Sequence, residues 1–527
     1  MAALLLALFV LASPAMSGST DLLVTKTADT NDGACTQSDC SLREAIIESN
    51  THGADAIEVP AGTYNLTIQG ANEDFAATGD LDLRRGVTIR GEGARKTIIN
   101  ANGIDRVFHM PFVSPSTPFT WGLFSLKITG GAVSGPGGGI FHDAQGATLF
   151  LGRSTVSGNK AVSAQGTIGG GIAAQRGPLN VMESTISGNK APGGQGGGIM
   201  FGGTATAGTL TLTNTTVSGN QSKFGGGIET YDPVTITDST IAFNTAQQPG
   251  GGLHVGGGPG PFTLNNTIVS NNTSNFAGFM NCGSVTIVDS EGNNLEKGTS
   301  CGLDQPTDIN ADPRLGDLTN NGGPTNTRAL LAGSPAINAG GDPFPSTDQR
   351  GVARPQGFAN DIGAVERRQE INVVQCPTGG TSPDDCVGTN ARDALIGRDG
   401  AFDHIQGEEG NDAYNGKGSC DSLDDSSVTS TDRYVVTVVD FCNVGISSLS
   451  IQDDGGNSDV LDLSRFYAST DFVYEIGFTN LIMDGPGVNN IDVLDFFTPS
   501  GAPTDSIDTF KFSDKTLTAQ QVRAIIE

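Results

Sequence analysis

Between residues 149 and 272 the hydrophobic positions recur in a fixed figure: apolar, any, apolar, four of any kind, apolar, two of any kind, Asn. The copies are Leu149-Leu151-Val156-Asn159, Leu179-Val181-Ile186-Asn189, Leu210-Leu212-Val217-Asn220, Val234-Ile236-Ile241-Asn244 and Phe262-Leu264-Val269-Asn272, starting 30, 31, 24 and 28 residues apart. Ahead of each runs Gly-Gly-Gly-Ile, ending at Ile140, Ile172, Ile199 and Ile228, or Gly-Gly-Gly-Leu, ending at Leu253. Apolar residues two apart share one face of a strand. The longer step that follows changes parity, so the chain bends there, and Ser, Thr, Asn and Asp fill the bend. Each copy predicts two short strands at a corner, and the glycine run predicts a third. Three strands in roughly 25–30 residues make one turn of a right-handed parallel β-helix, an all-β solenoid.

Weaker turns extend the figure at Val87-x-Ile89, Ile98-Ile99, Phe124-x-Leu126-x-Ile128 and Val285-x-Ile287. The recurring Asn is expected at a corner, in left-handed backbone, with its amide bonded to the Asn one turn away. The glycine runs lack a following Lys-Ser/Thr, so they read as tight backbone passage and not as a phosphate loop. An open solenoid end exposes strand edges and needs a cap. Residues 41–50, SLREAIIESN, predict a helix, with Ser41 and Glu44 as a capping box and Leu42, Ala45 and Ile46 as its apolar face.

Composition sharpens the picture. Gly is 75 of 527 residues, and Asp plus Glu outnumber Lys plus Arg 57 to 29, giving a formal charge of −28. Such a surface repels phosphate backbones, which argues against nucleic acid, and attracts hard cations. Residues 1–17 read as a secretory signal, with an apolar stretch from Leu4 to Leu11 and a small-x-small end at Ala15-Met16-Ser17. No apolar run reaches the length of a membrane span. A secreted, extracellular protein is expected. The eight cysteines fall into close pairs, Cys35 with Cys40, Cys282 with Cys301, Cys376 with Cys386 and Cys420 with Cys442. Exported chains pair cysteines as disulfides, and no pair has the C-x2-C spacing of its rival, zinc.

Several stretches resemble one bacterial family. Cys40-Ser41-Leu42-Arg43-Glu44-Ala45 is similar to the start of the CSLREA-type secreted β-helix proteins, as is Ile57-x-Val59-Pro60-Ala61-Gly62-Thr63-Tyr64. Asp312-Pro313-Arg314-Leu315-Gly316, Gly333–Gly340 and Asp348-Gln349-Arg350-Gly351 through Glu366 resemble its later part. The resemblance implies a capped β-helix over residues 18–370 and implies no particular reaction. Arg43, Glu44, Asp348 and Arg350 have catalytic residue types, but a helix cap and ion-paired loop residues explain them better.

A second period follows. Asp393-Ala394-Leu395, Asp403-His404-Ile405, Asp412-Ala413-Tyr414 and Asp421-Ser422-Leu423 step by 10, 9 and 9 residues. With Gly407, Gly410 and Gly416 this resembles the RTX, haemolysin-type β-roll, whose turns bind calcium. The metal-ligating candidates over residues 371–429 are therefore Asp393, Asp403, Gly407, Gly410, Asp412, Gly416 and Asp421, and the expected cofactor is Ca2+. Two nine-residue units make one coil, so Asp403 and Asp421 are expected on one side and Asp393 and Asp412 on the other. Residues 430–527 read as further β structure ending in an amphipathic helix from Leu517.

Chemistry on the solenoid has one candidate location. The position after each glycine run is Phe141, Ala173, Met200, Glu229 and His254. Glu229 and His254 would project from adjacent turns, with Tyr231 and Asp232 close by in sequence. A carboxylate, an imidazole and a phenol suit acid–base work on a polysaccharide. Two classes stay open: a non-catalytic extracellular surface that adheres to a cell surface or binds glycan, and a calcium-dependent polysaccharide lyase or glycoside hydrolase.

Overall fold

The computed structural model describes residues 21–33, 35–112, 119–162, 169–203, 208–257, 262–283, 288–341, 345–356 and 359–367, and beyond them the backbone of a set of strands between 372 and 518. Residues 1–17, the predicted signal, and Val285 and Ile287 lie outside this set. The chain divides into a unit ending at Arg367 and a unit beginning at Arg368.

The first unit is a parallel β-solenoid. Two of its sheets have ten strands, a third has seven and a fourth has six. The first sheet stacks strands such as Thr148–Gly152, Leu179–Met182 and Leu210–Thr213, and the second stacks Thr155–Ser157, Thr185–Ser187 and Thr216–Ser218. The third stacks Ile140–His142, Ile172–Ala174, Ile199–Phe201, Ile228–Thr230 and Leu253–Val255. Register follows the sequence figure. Val156, Ile186, Val217, Ile241 and Val269 form one buried column. Leu149, Leu179, Leu210, Val234 and Phe262 form another. These columns merge into a single apolar core lined along its whole length by Ile, Val and Leu, as expected for parallel strands whose inner face never meets water.

The fourth sheet differs from the three-strand expectation. It runs through short strands such as Ala132–Val133, Lys160–Ala161 and Gln221–Phe224, the last two directly following a ladder Asn. Segments this short bury small residues such as Ala161 and Ala191, or none, and leave too little apolar pattern to read.

The asparagines form the expected ladder. Asn159, Asn189, Asn220 and Asn244 each donate through Nδ2 to Oδ1 of the next, at 2.9–3.1 Å, and Asn272 continues the series. The ladder runs one turn further, to Asn281, whose Nδ2 donates to Glu296 Oε1. The left-handed residue is the one before each Asn, not the Asn itself: Gly158, Gly188, Gly219, Phe243 and Asn271 have φ between 55° and 70°. That turn frees the Asn backbone N–H to donate to the next Asn Oδ1 as well. The glycine runs pack against the ladder. A Cβ on Gly198 would lie 2.7 Å from Gly227 O and 3.0 Å from Asn220 Nδ2.

The helix Leu42–His52 caps the first turn with the capping box of Ser41 and Glu44. Glu44 titrates at about 2: burial opposes ionisation, but the N–H groups of Ser41 and Asp32, the Thr30 hydroxyl and Lys26 outweigh it. Arg43 is buried, held by Asp29 and the carbonyls of Ala76, Gly79 and Asp80. Disulfides join Cys35 to Cys40 and Cys282 to Cys301. Residues 313–366 fold back over the second sheet. Gln349, buried, donates through Nε2 to Thr185 Oγ1 and Thr325 Oγ1 and accepts from Thr216 Oγ1. Asp348 pairs with Arg350, and Glu366 with Arg354.

The second unit alternates consecutive strands between two sheets, each of seven strands. Asn372–Gln375, Asp393–Ile396 and Ala413–Asn415 share one, and Asp384–Val387, Asp403–Gln406 and Ser422–Asp425 share the other. Most pairings are parallel, with antiparallel hairpins at Val473–Val493 and Thr509–Thr518. Leu517 and Thr518 are in a strand, so the expected helix does not start there; residues 519–527 lie outside the described set. Among the described residues no helix is long and apolar enough to cross a membrane.

Candidate acid–base site on the third sheet

The third sheet places Glu229 and His254 side by side. Ile228–Thr230 pairs in parallel with Leu253–Val255, with Glu229 opposite His254. His254 Nδ1 lies 2.8 Å from Glu229 Oε2. The Glu229 side chain is fully buried, whereas His254 keeps 19% of its side chain exposed. Burial pushes the Glu229 carboxyl above its usual range, and the hydrogen bond and charge of His254 pull it part of the way back. Its other oxygen, Oε1, has no hydrogen-bond partner. A buried polar atom without a partner costs about 1–3 kcal/mol, and Oε1 shares this state with atoms such as Ser270 Oγ and Asn338 Oδ1.

Tyr231 joins this pair. Its hydroxyl lies 3.0 Å from Gln195 Oε1 and donates to it. Burial, and then the Glu229 charge, raise its pKa. Gly256 shows how close the two side chains come. A Cβ there would lie 2.3 Å from Tyr231 Cζ and 2.6 Å from Glu229 Oε1. A Cβ on Gly283 would lie 2.2 Å from His254 Cδ2. Glycines thus clear the space around the imidazole and the carboxylate. Phe224 packs against the His254 ring at 5.4 Å, with Lys223 Nζ 5.6 Å from the Phe224 centroid. Asp232 serves the local turn: its N–H donates to Thr230 Oγ1.

The arrangement is that of an oriented imidazole. Glu229 engages Nδ1 and leaves Nε2 as the ring nitrogen open to chemistry. The carboxylate touches no solvent, so it acts through the imidazole.

A second carboxylate–imidazole pair, not foreseen from the sequence, occupies the same column four strands away. Asp82, His109 and Phe141 are in register, and Phe141 continues through Ala173 and Met200 to Glu229. His109 Nδ1 lies 2.9 Å from Asp82 Oδ1 and 3.6 Å from Asp74 Oδ1. These donors lie within 4.8 Å of one another, close enough to hold a divalent cation. Asp82 is already satisfied, however, by His109 and by the Ala76 N–H. His109 escaped the sequence reading because its strand, Phe108–Met110, follows no glycine run. The signal that could have found it is its Phe-His dipeptide, the counterpart of Ile140-Phe141 one turn on.

Arg43, Glu44, Asp348 and Arg350 sit in the structural pairs described above. Of the calcium candidates, Asp393 and Asp403 begin strands in opposite sheets of the second unit. Gly407, Gly410, Asp412, Gly416 and Asp421 lie outside the described residues, as do the side chains of Cys376, Cys386, Cys420 and Cys442.

No family model and no curated protein matches the sequence. Among solved structures, the chain is similar to the crystal structure of pectate lyase Pel9A, with 14% sequence identity and a TM-score of 0.39 over 66% of this chain and 98% of that one.

Proposed function

We propose that this chain is an exported protein that works on polysaccharide laid along the outer face of the third sheet, with His254 as the proton-transfer group and Glu229 as its buried partner. The observation that carries this reading is the 2.8 Å contact between His254 Nδ1 and a fully buried Glu229 whose second oxygen is unpartnered. Sheet faces along a solenoid are open and elongated. They suit an extended polymer better than a small molecule, which needs a concave pocket.

The chemistry favours elimination over hydrolysis. Hydrolysis of a glycoside ordinarily needs two carboxylates facing the scissile bond. Here the single carboxylate is shielded and the exposed group is an imidazole. His254 Nε2 would accept a proton from the sugar, the Glu229 carboxylate would balance the imidazolium, and the proton would leave with the departing sugar oxygen. Lys223, above Phe224, supplies the nearby cation an acidic sugar needs.

A panel of neutral and acidic polysaccharides, read by ultraviolet absorbance of unsaturated ends and by reducing sugar, tests the proposal. Turnover of one acidic polymer is expected, falling about 10²–10⁴-fold in His254→Ala and strongly in Glu229→Gln. Retained binding with no turnover on any polymer sinks the catalytic reading and leaves the non-catalytic glycan-binding surface. Calcium is a separate proposal for residues 371–429, supported by the alternation of strands between two sheets. An unchanged circular dichroism spectrum of the full chain at millimolar calcium would count against it.

A further inference from the structure

A cavity of about 260 Å³ lies between the outer face of the second sheet and the returning segment at Thr325 and Asn326. Among the described residues its charged lining side chains are Arg95 and Lys127, with no carboxylate. In a chain with 57 acidic and 29 basic residues, a cavity whose charges are both positive stands apart. Arg95 is fixed: its guanidinium donates to the carbonyls of Gly323 and Thr325 and to Asn326 Oδ1. None of those acceptors carries a charge, so the Arg95 cation is not neutralised by them. Lys127 has no ion pair with any described carboxylate, and its strand position places it between Ile98 and Thr155 in register.

The remaining lining mixes the apolar Ala94 and Ile98 with hydroxyls. Thr155 and Ser157 come from one turn and Ser187 from the next, each partly exposed to the cavity. A cation pair attracts an oxyanion, and a row of hydroxyls suits a ligand that itself carries hydroxyl groups. The volume is just below the ~300–1,000 Å³ of ordinary ligand pockets, which limits the occupant to one small ring or the end of a chain.

We infer that this cavity binds a single hydroxylated ring bearing one oxyanion, as an acidic sugar does. It lies on the second sheet, whereas Glu229 and His254 lie on the third, so it stands or falls independently of the acid–base site. Lys127 contributes a point charge, Arg95 a charge held in place by the returning segment, and the hydroxyls orient the ring.

Calorimetric titration of the full chain with sodium glucuronate, glucose and sodium sulfate at low ionic strength tests the assignment. Glucuronate is expected to bind and glucose not. Lys127→Gln is expected to weaken glucuronate about tenfold at unchanged melting temperature, and Lys127→Arg to restore most of it. Added salt should weaken binding, because the attraction is screened. Ser157→Ala, which alters no charge, should weaken glucuronate and leave sulfate unchanged. Equal binding of glucose, or an unaffected Lys127→Gln variant, overturns the proposal. Sulfate binding as tight as glucuronate overturns its sugar part.

Discussion

Asn220 makes three kinds of hydrogen bond from one buried side chain. Nδ2 donates to Asn244 Oδ1 and to Ile186 O, while Oδ1 accepts from the Nδ2 and backbone N–H of Asn189. Replacing it with Ala takes the acceptor from the Asn189 backbone N–H and one of its two bonds from Asn189 Nδ2, while Asn244 Oδ1 keeps the residue-220 N–H, at about 1–3 kcal/mol for each group left without a partner. Asn220→Ala is expected to lower the urea midpoint by a correspondingly large step, and an unchanged midpoint would show that the ladder contributes little. Asp80 makes the opposite point. Burial, then the Asp82 charge, pushes its carboxyl up to about 8, despite its bond to Arg106. An ordinary aspartate titrates near 3.9. Between about pH 4 and 8 the folded chain therefore holds a proton that the unfolded chain has released, so this residue's contribution falls as pH rises through that window. Asp80→Asn keeps an acceptor for Arg106 and should flatten the loss of stability between pH 5 and pH 8, measured by urea unfolding at both. That Glu229 and His254 are neighbours was legible from two positions after two glycine runs, but both were expected to project, and the structure instead buries Glu229 beneath the imidazole.

At the scale of elements, the glycine runs are as constrained as the apolar columns. The Cβ of an alanine at 198 would press on Gly227 O and Asn220 Nδ2, both fixed by neighbouring turns. Gly198→Ala is expected to cost about 1–3 kcal/mol through overpacking, read as a fall in thermal midpoint; full retention of stability would mean that the turns can slide apart. This contact explains what the sequence could and could not disclose. Strands whose inner residues recur, such as Val156 over Ile186 and Val217, were legible because the apolar period records them directly. The helix at Leu42–His52 was legible because Ser41 and Glu44 carry its cap in four letters. The fourth sheet was not, because its strands bury at most a small residue or two, such as Ala161, Ala191 or Ser222. Nor was the Asp82–His109 pair, since its strand lacks the glycine marker and Asp74 reaches it from a loop. The cavity at Lys127 was hidden for another reason: its roof comes from Thr325 and Asn326, about two hundred residues away in sequence.

For the molecule as a whole, the solenoid is closed differently at its two ends. A helix pinned by Arg43 and Asp29 covers the first turns, while Cys282–Cys301 and the returning segment at Ala339 and Asp361, which accept from Asn293 and Asn266, secure the last. From Asn159 to Asn272 successive turns repeat the ladder and column contacts, so the stability of that stretch is expected to be close to a sum over turns and their interfaces. Deleting one complete turn, residues 190–220, brings Asn189 onto Asn244 with the strand order preserved. The shortened chain is expected to fold with an unchanged circular dichroism signature per residue and a modestly lower midpoint; a molten product would refute the modular view.

The amide ladder also has a direction. In each ladder amide one Nδ2–H points to the next Asn toward the C-terminal turns while the other bonds a carbonyl of the preceding turn, so along the Asn–Asn bonds the small dipoles add like those of peptide units in a helix. Their positive pole arrives at Asn281 and meets the buried carboxylate of Glu296, which also accepts from the Ser300 and Cys301 N–H groups. Internal turns are thus interchangeable, whereas the terminal one carries the counter-charge for the whole stack, and any shortened or lengthened version must keep that anion as its last neighbour.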